Sequence, residues 1–152
     1  MYLSTVTRPD ITFAVNKAAR AMEKPTTEDW NRVKRIFRYL KGTLNFGIVY
    51  NKKEELKIYA DADFAGDNRT RRSTTGILAK YSGGAVSWTS QLQKVVATST
   101  TEAEIIAASE GAKELVWLRR LLSELVEMSG QPPVLYIDNA SALKLAKNPE
   151  YH

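Results

Sequence analysis

The run LKIYAD at residues 56–61 sets the architecture that we predict, because it is a largely apolar extended segment that ends in an acid, Asp61. Two further extended runs follow, GILAKY at 76–81 and AVSWTS at 85–90. Turn-forming residues separate them, among them Ser82-Gly83-Gly84. The three runs predict a meander of antiparallel strands.

A long helical pattern follows the meander, over about residues 101–126, and glycine and proline are expected to end it at Gly130, Pro132 and Pro133. The next segment, VLYI at 134–137, predicts a strand that leads into an amphipathic helix, ASALKLAKN. A strand, a long helix and another strand in succession favour a parallel pair joined by a right-handed crossover. We therefore predict an α/β fold with a mixed sheet. The apolar positions that define the long helix are Ile105, Ala108, Ala112, Leu115, Leu122 and Leu125.

Two helices are predicted in the first fifty residues. Pro9 suits a first helical position, and Pro25 ends the pattern that it begins. Thr26 or Thr27 can cap the second helix, which runs to a stop at Gly42. The sequence NFGIVY at 45–50 then predicts an extended strand.

The charge of this protein is unevenly distributed along its 152 residues, which carry a formal net charge of +5. Residues 1–50 contain nine Lys and Arg against four Asp and Glu, whereas the rest contains thirteen of each. A basic segment beside an electrically balanced body suggests that the segment binds a polyanion, with nucleic acid the first candidate; the alternative is a solvated helix face. The residues of this basic face are Arg32, Lys34, Arg35, Arg38 and Lys41.

The composition excludes several classes of site. The absence of cysteine rules out thiolate zinc sites, redox motifs and disulfides. The apolar clusters are short, and the N-terminal sequence MYLSTVTRPD lacks the order of a secretory signal, so we expect an intracellular protein, cytoplasmic or nuclear, with no membrane partner. The single histidine is the terminal His152, so the chemistry has to be carried by other groups.

Three acidic residues are candidates for metal ligands. Asp61 and Asp138 each end a predicted strand, and the helix that begins near Glu104 connects those strands. Functional groups of open α/β sheets gather beyond the carboxyl ends of the strands. Because clustered carboxylates repel one another, a pair of Mg²⁺ or Mn²⁺ ions would neutralise them. Two such ions can activate a water and stabilise the leaving oxygen of a phosphodiester.

Both aspartates have structural alternatives. Asp61 could bond turn N–H groups, and Asp63, two residues further on and expected outside the strand, could do the same. Asp138 could be the N-cap of the last helix, although Asn139 could serve equally well.

Glu104 has a capping alternative of its own. A capping box from Thr101 would use Glu104, whereas a box from Ser99 would use Glu102. If the box begins at Ser99, Glu104 is not used as a cap and is the first of a line of mostly small residues suited to lying against a sheet. That line continues through Ala108, Gly111 and Leu115.

Seven strings, in order and nearly end to end, resemble the C-terminal part of the polyprotein of copia-type LTR retrotransposons: TRPDITFAV, KRIFRYLKGT, YADADFAGD, RRSTTG, SWTSQLQKVVATSTTEAEIIA, WLRRLL and DNASALKLAKNP. Residues 1–50 resemble the end of the reverse transcriptase, and residues 51–152 resemble its ribonuclease H domain. The resemblance implies a ribonuclease H-like fold and two-metal cleavage of the RNA strand of an RNA–DNA hybrid. It assigns metal-ligand roles to Asp61, Glu104 and Asp138, with Asp61 bridging both ions.

Substrate contacts are expected on two polar segments. Arg71, Arg72, Ser73 and Thr74 could hold phosphates, and Ser99, Thr100 and Thr101 could meet 2′-hydroxyls of the minor groove. Turn and cap chemistry is the alternative for each of them.

The family sequence continues beyond the position of residue 152, so we expect this chain to lack the last strand and the last helix with its fourth acid. By the same resemblance we expect it to lack the fingers and palm of the polymerase, and so not to polymerise DNA. The strand at 134–137 should then present an open edge, covered by the N-terminal segment, by a second copy in a homodimer or by a protein partner. The rival function is a non-catalytic remnant that binds protein or nucleic acid.

Overall fold

The computed structural model describes residues 1–51, 55–126 and 132–148. The chain divides into two compact units, Met1–Val49 and Tyr50–His152. Gly130, expected to help end the long helix, and the terminal His152 lie outside the described residues.

The first unit is helical. Its elements are α1 (Tyr2–Val6), a single 3₁₀ turn (Pro9–Ile11), α2 (Thr12–Ala19) and α3 (Thr27–Gly42). The short helix α1 was not predicted, whereas the start at Pro9 and the end of α3 at Gly42 are confirmed. Thr26 caps α3 in a reciprocal box with Asp29, whose backbone N–H donates to the Thr26 hydroxyl at 3.2 Å.

Arg8 joins the two ends of this unit. Its guanidinium is 7% exposed and donates to Asp10 Oδ2 at 2.7 Å and to the Thr43 carbonyl at 3.1 Å. Tyr39 Oη donates to the same Asp10 carboxylate at 2.9 Å. A charge with this little exposure is tolerated because it is paired and hydrogen-bonded.

The prediction of a strand at residues 45–50 is wrong. This segment is a turn followed by irregular backbone, and no described strand pairs with it. Gly47 weakens a strand because glycine loses the most backbone entropy and offers no side chain to pack. At the end of this segment Tyr50 makes a side-chain hydrogen bond and no strand pairing: its Oη donates to the Ala85 carbonyl at 2.8 Å.

The second unit confirms the predicted α/β fold. Its elements are β1 (Lys57–Asp63), β2 (Thr74–Tyr81), β3 (Gly84–Leu92), α4 (Thr100–Leu125), β4 (Val134–Tyr136) and α5 (Ala140–Lys147). The strand order is β3-β2-β1-β4; the first three strands are antiparallel, and β4 runs parallel to β1. The mixed sheet with its crossover helix is compatible with a ribonuclease H-like architecture.

Helix α4 packs closely on the sheet at Gly111. A Cβ placed on Gly111 would lie 3.1 Å from Ala60 Cβ and 3.1 Å from Leu135 Cδ1. The missing side chain therefore brings the helix axis close to β1 and β4. The core below this contact consists of Leu56, Ile58, Ile77, Ala79 and Leu118.

The buried face of α4 differs from part of the predicted stripe. Ala112 and Leu125, expected on the apolar face, are exposed. The sheet-facing line instead follows Glu104 through Gly111 to Leu118. Of the line of small residues predicted to follow Glu104, Gly111 is buried, whereas Ala108 and Leu115 are half-buried. The prediction missed Ala103 and Ala107, which are buried.

Strand β4 lies at an edge of the sheet and pairs with β1 alone among the described strands. Val134 and Tyr136 are 44% and 42% exposed. Ile137, predicted as part of the strand, follows its end. In the described part of the chain, no helix is both long and apolar enough to cross a membrane.

Candidate metal centre

The fold brings three carboxylates together. Asp61, Glu104 and Asp138 each offer an oxygen, and these atoms lie within 4.8 Å of one another. Asp61 lies near the carboxyl end of β1, and Asp138 follows the parallel strand β4, so both side chains reach the same edge of the sheet. Helix α4 supplies the third group from its first turns.

Asp63 is separate from this cluster. It belongs to β1, contrary to our expectation, and pairs with Thr74 of β2. Its carboxylate lies over Gly66, where an added Cβ would come 2.0 Å from Asp63 Oδ2. The turn after β1 therefore accommodates Asp63, while Asp61 is available to the cluster.

Asp138 is not needed as a helix cap. Asn139 is the N-cap of α5, and its Oδ1 accepts the backbone N–H of Ala142 at 2.9 Å. Of the two capping alternatives the structure uses the amide. The Asp138 carboxylate, which is exposed, is thereby left for the cluster.

Glu104 is likewise not used as a cap in the first turn of α4. Ser99 is the N-cap, and its Oγ accepts the N–H of Glu102 at 3.1 Å. Glu102 in turn accepts from the backbone N–H of Thr98 at 2.6 Å. Ser99 is thus the cap, as in the second predicted register, but Glu102 bonds the N–H of Thr98 and not that of Ser99, so the reciprocal box is not formed. Glu104 is left to bond Ala62 of β1.

The environment of Glu104 disfavours a bare charge. The residue is 6% exposed; its Oε1 accepts the N–H of Ala62 at 3.2 Å, while its buried Oε2 has no hydrogen-bond partner in the described structure. Burial raises the pKa of Glu104, and the Ala62 hydrogen bond opposes this. The charges of Asp61 and Asp138 raise the pKa further, as does the hydrogen bond that a protonated Glu104 can share with the Asp61 carboxylate.

These features fit a bound divalent cation. The donors are carboxylate oxygens, which hard cations prefer. The unpartnered Oε2 of Glu104 is a buried acceptor that a cation would satisfy, and positive charge would offset the repulsion among the three groups. The site can therefore bind a metal.

The predicted substrate residues lie in two groups near the centre. Arg71 is exposed with a positive φ of 56°, and Arg72 is half-buried. Ser73 is fully buried and its hydroxyl accepts the Ala65 N–H at 3.1 Å, and Thr74 is also buried. The hydroxyl-bearing residues of this segment are thus buried, whereas Arg71 is exposed and Arg72 is half-buried.

The second group lies at the start of α4. Ser99 uses its hydroxyl as the cap, Thr100 is exposed and Thr101 is half-buried. A further buried polar residue, Gln93, lies next to this turn at 5% exposure. Sequence reasoning assigned no role to Gln93: it lies within a string that carries the resemblance, but nothing in its local pattern distinguishes it from Gln91.

Replacing Glu104 with glutamine should stabilise the metal-free protein at neutral pH. Because its folded pKa is raised, ionisation of Glu104 costs stability as the pH rises above the ordinary glutamate value of 4.5. The melting temperatures of Glu104→Gln and the parent should coincide at pH 4 and separate progressively towards pH 8. Thermal unfolding in a chelator measures this difference.

The matched control is Glu124→Gln, which makes the same change at an exposed position near the end of α4. It should leave the pH dependence of the parent unaltered. Equal melting temperatures for Glu104→Gln and the parent across this pH range would show that Glu104 carries no destabilising charge.

Comparison with known proteins finds relatives among transposon polyproteins. The chain is 50% identical over its whole length to the retrovirus-related Pol polyprotein from transposon TNT 1-94 of Nicotiana tabacum, and 42% identical over 96% of its length to that from transposon RE2 of Arabidopsis thaliana. The matched segments make up 11% and 10% of those proteins, so the chain spans about a tenth of their length.

A third relative is of similar size to this chain. It is the secreted RxLR effector protein 161 of Plasmopara viticola, 45% identical over 78% of the chain and 84% of the relative. No family model and no solved structure matches the chain.

Proposed function

We propose that this chain, which is similar over most of its length to a part of the retrovirus-related Pol polyproteins of plant transposons, is a metal-dependent ribonuclease H that cleaves the RNA strand of RNA–DNA hybrids. The observation that carries the proposal is the meeting of Asp61, Glu104 and Asp138 at one sheet edge, with a buried, unpartnered oxygen on Glu104. Neither a thiol nor an imidazole is required for this chemistry.

Asp61, Glu104 and Asp138 would hold the cations, and Mg²⁺ or Mn²⁺ is the expected identity because all three donors are carboxylates. Bound in a pair, such ions supply an activated water and charge stabilisation at the leaving oxygen of a phosphodiester. The chain itself orients the ligands. The Ala62 N–H fixes one oxygen of Glu104, and the other is buried without a hydrogen-bond partner in the described structure. Asn139 is the cap of α5, so Asp138 is not needed for that role.

The hybrid would lie across the two polar segments beside the carboxylates. We assign phosphate contacts to Arg71 and Arg72, which are accessible, and 2′-hydroxyl contacts to Thr100 and Thr101 at the start of α4. Contacts to 2′-hydroxyls would distinguish the RNA strand from DNA. Ser73, Thr74 and Ser99 support these segments through buried packing and the helix cap.

The test is cleavage of an end-labelled RNA–DNA hybrid by the full chain in Mg²⁺ or Mn²⁺. We expect cleavage of the RNA strand alone, no cleavage of duplex DNA, and loss of activity in a chelator. Binding of the hybrid without cleavage in either metal would contradict the proposal and favour the rival function.

The basic face of α3 is proposed as an additional nucleic-acid contact. Lys34, Arg35 and Arg38 are exposed on it, whereas Arg32 is held in ion pairs with Glu28 at 2.6 Å and Asp29 at 2.9 Å. Lys34, Arg35 and Arg38 pair with no carboxylate among the described residues, so they can pair with phosphates.

Changing Lys34, Arg35 and Arg38 together to glutamine should weaken binding to a duplex and flatten its salt dependence. Each lost phosphate contact lowers the slope of log affinity against log salt by about 0.9, so three contacts account for roughly 2.7. Fluorescence anisotropy over a salt series, in a chelator, measures the slope. The single change Arg32→Gln is the control and should alter it little; an unchanged slope in the triple variant would show a merely solvated face.

A non-catalytic interaction module remains the second candidate, and the sheet edge favours it. Tyr59 and Tyr136 stack across β1 and β4 with ring centroids 4.9 Å apart, and both rings are partly exposed. An edge strand with exposed apolar side chains is suited to pairing with a second copy or a protein partner. Self-association without hybrid cleavage, measured by light scattering beside the cleavage assay, would favour this candidate.

A further inference from the structure

Gln93 lies between the end of β3 and the start of α4 and makes three hydrogen bonds there. Its backbone N–H donates to the Ser73 carbonyl at 2.8 Å. Its side-chain Nε2 donates to Thr75 Oγ1 at 3.0 Å and to the Ala103 carbonyl at 3.0 Å. The residue therefore connects β2 to the first turn of α4 inside the fold.

The orientation of the Gln93 amide follows from its partners. The Ala103 carbonyl can only accept, so the NH₂ group has to face it. Both N–H groups are then used, and Oε1 is left buried without a hydrogen-bond partner in the described structure. A buried carbonyl oxygen without a partner costs stability, which an apolar residue of the same size would avoid.

Both side-chain contacts lead directly to the metal centre. Ala103 immediately precedes Glu104, and Thr75 is the β2 partner of Ala62, whose N–H holds the Glu104 carboxylate. We propose that Gln93 is a positioning residue: it fixes the first turn of α4 against β2, so that the Glu104 carboxylate stays within reach of Asp61 and Asp138. This inference rests on the metal centre proposed above.

The decisive variant is Gln93→Met, which keeps the length of the side chain and removes both side-chain hydrogen bonds. Its control is Gln91→Met, the same change at an exposed position two residues earlier in β3. Calorimetric titration of the metal-free full chain with Mn²⁺, without nucleic acid, gives the dissociation constant. We expect it to rise about 10- to 100-fold in Gln93→Met, the range for residues that orient metal ligands, and to stay unchanged in Gln91→Met.

A second readout separates positioning from a general loss of structure. In the hybrid assay the Mn²⁺ concentration for half-maximal cleavage should rise with the dissociation constant, and excess Mn²⁺ should restore much of the rate. If Gln93→Met does not fold, Thr75→Val removes only one of the two side-chain contacts and should shift the dissociation constant in the same direction by a smaller factor.

The outcomes are distinguishable. A parent chain that binds no Mn²⁺ would overturn the metal centre itself. If the parent chain binds Mn²⁺ and folded Gln93→Met or folded Thr75→Val binds it equally tightly, only the role of Gln93 is overturned.

Discussion

Asp61→Asn and Asp138→Asn should each reduce cleavage of the RNA strand by more than about a hundredfold. Even residues that only orient metal ligands are worth 10- to 100-fold in metal affinity or activity, and these two are proposed to be ligands themselves. Asparagine keeps the shape of the side chain but removes the negative charge. Initial rates on a labelled hybrid at fixed Mg²⁺ measure the loss.

Asp63→Asn provides a matched control, because Asp63 lies two residues from Asp61 in the same strand and outside the carboxylate cluster. It should retain most of the activity. Asp61→Asn and Asp138→Asn should fold, since removing a charge from the cluster relieves repulsion, and Asp63→Asn changes an exposed residue. Parental rates in Asp61→Asn or Asp138→Asn would contradict the assignment of these residues as ligands.

Gly111→Val should be the most destabilising single change in the sheet–helix contact. A Cβ at this position would already lie 3.1 Å from Ala60 Cβ and Leu135 Cδ1, and the two γ-carbons of valine have no space beyond it. Overpacking of this kind costs about 2–3 kcal/mol. Because α4 would have to move away from β1, Glu104 would separate from Asp61, so we expect cleavage to fall as well. Urea denaturation gives the change in the free energy of unfolding.

Ala112→Val is the control for this change, since Ala112 is the next residue of α4 and is exposed. Its cost should stay below about 1 kcal/mol, the difference in helix propensity. Equal costs for the two variants would mean that the close approach at Gly111 does not determine the position of the helix.

Much of the site could be predicted because its parts are local in sequence. The strand that contains Asp61, the start of α4 and its cap at Ser99 all depend on residues a few positions apart. The crossover rule then places two strand ends at one edge. The local patterns and the crossover rule together predict that Asp61, Glu104 and Asp138 lie close together.

Other features depended on contacts between distant segments. Residues 45–50 have strand-forming side chains but find no described strand to pair with, so their local preference had no effect. The cap of α5 was left open for a different reason: Asn and Asp have nearly equal preference for the N-cap position, so the sequence alone does not favour Asn139 over Asp138. Gln93 acquires its role only when β2 and the start of α4 are adjacent, and no sequence pattern encodes that adjacency.

The central claim is that the three carboxylates bind divalent cations, and anomalous scattering from a crystal of the full chain grown with Mn²⁺ tests it most directly. We expect an anomalous peak within coordination distance of oxygens from Asp61, Glu104 and Asp138, including the Oε2 of Glu104 that has no partner in the described structure. A map with no peak between these residues at saturating Mn²⁺, and the three carboxylates well ordered, would contradict it.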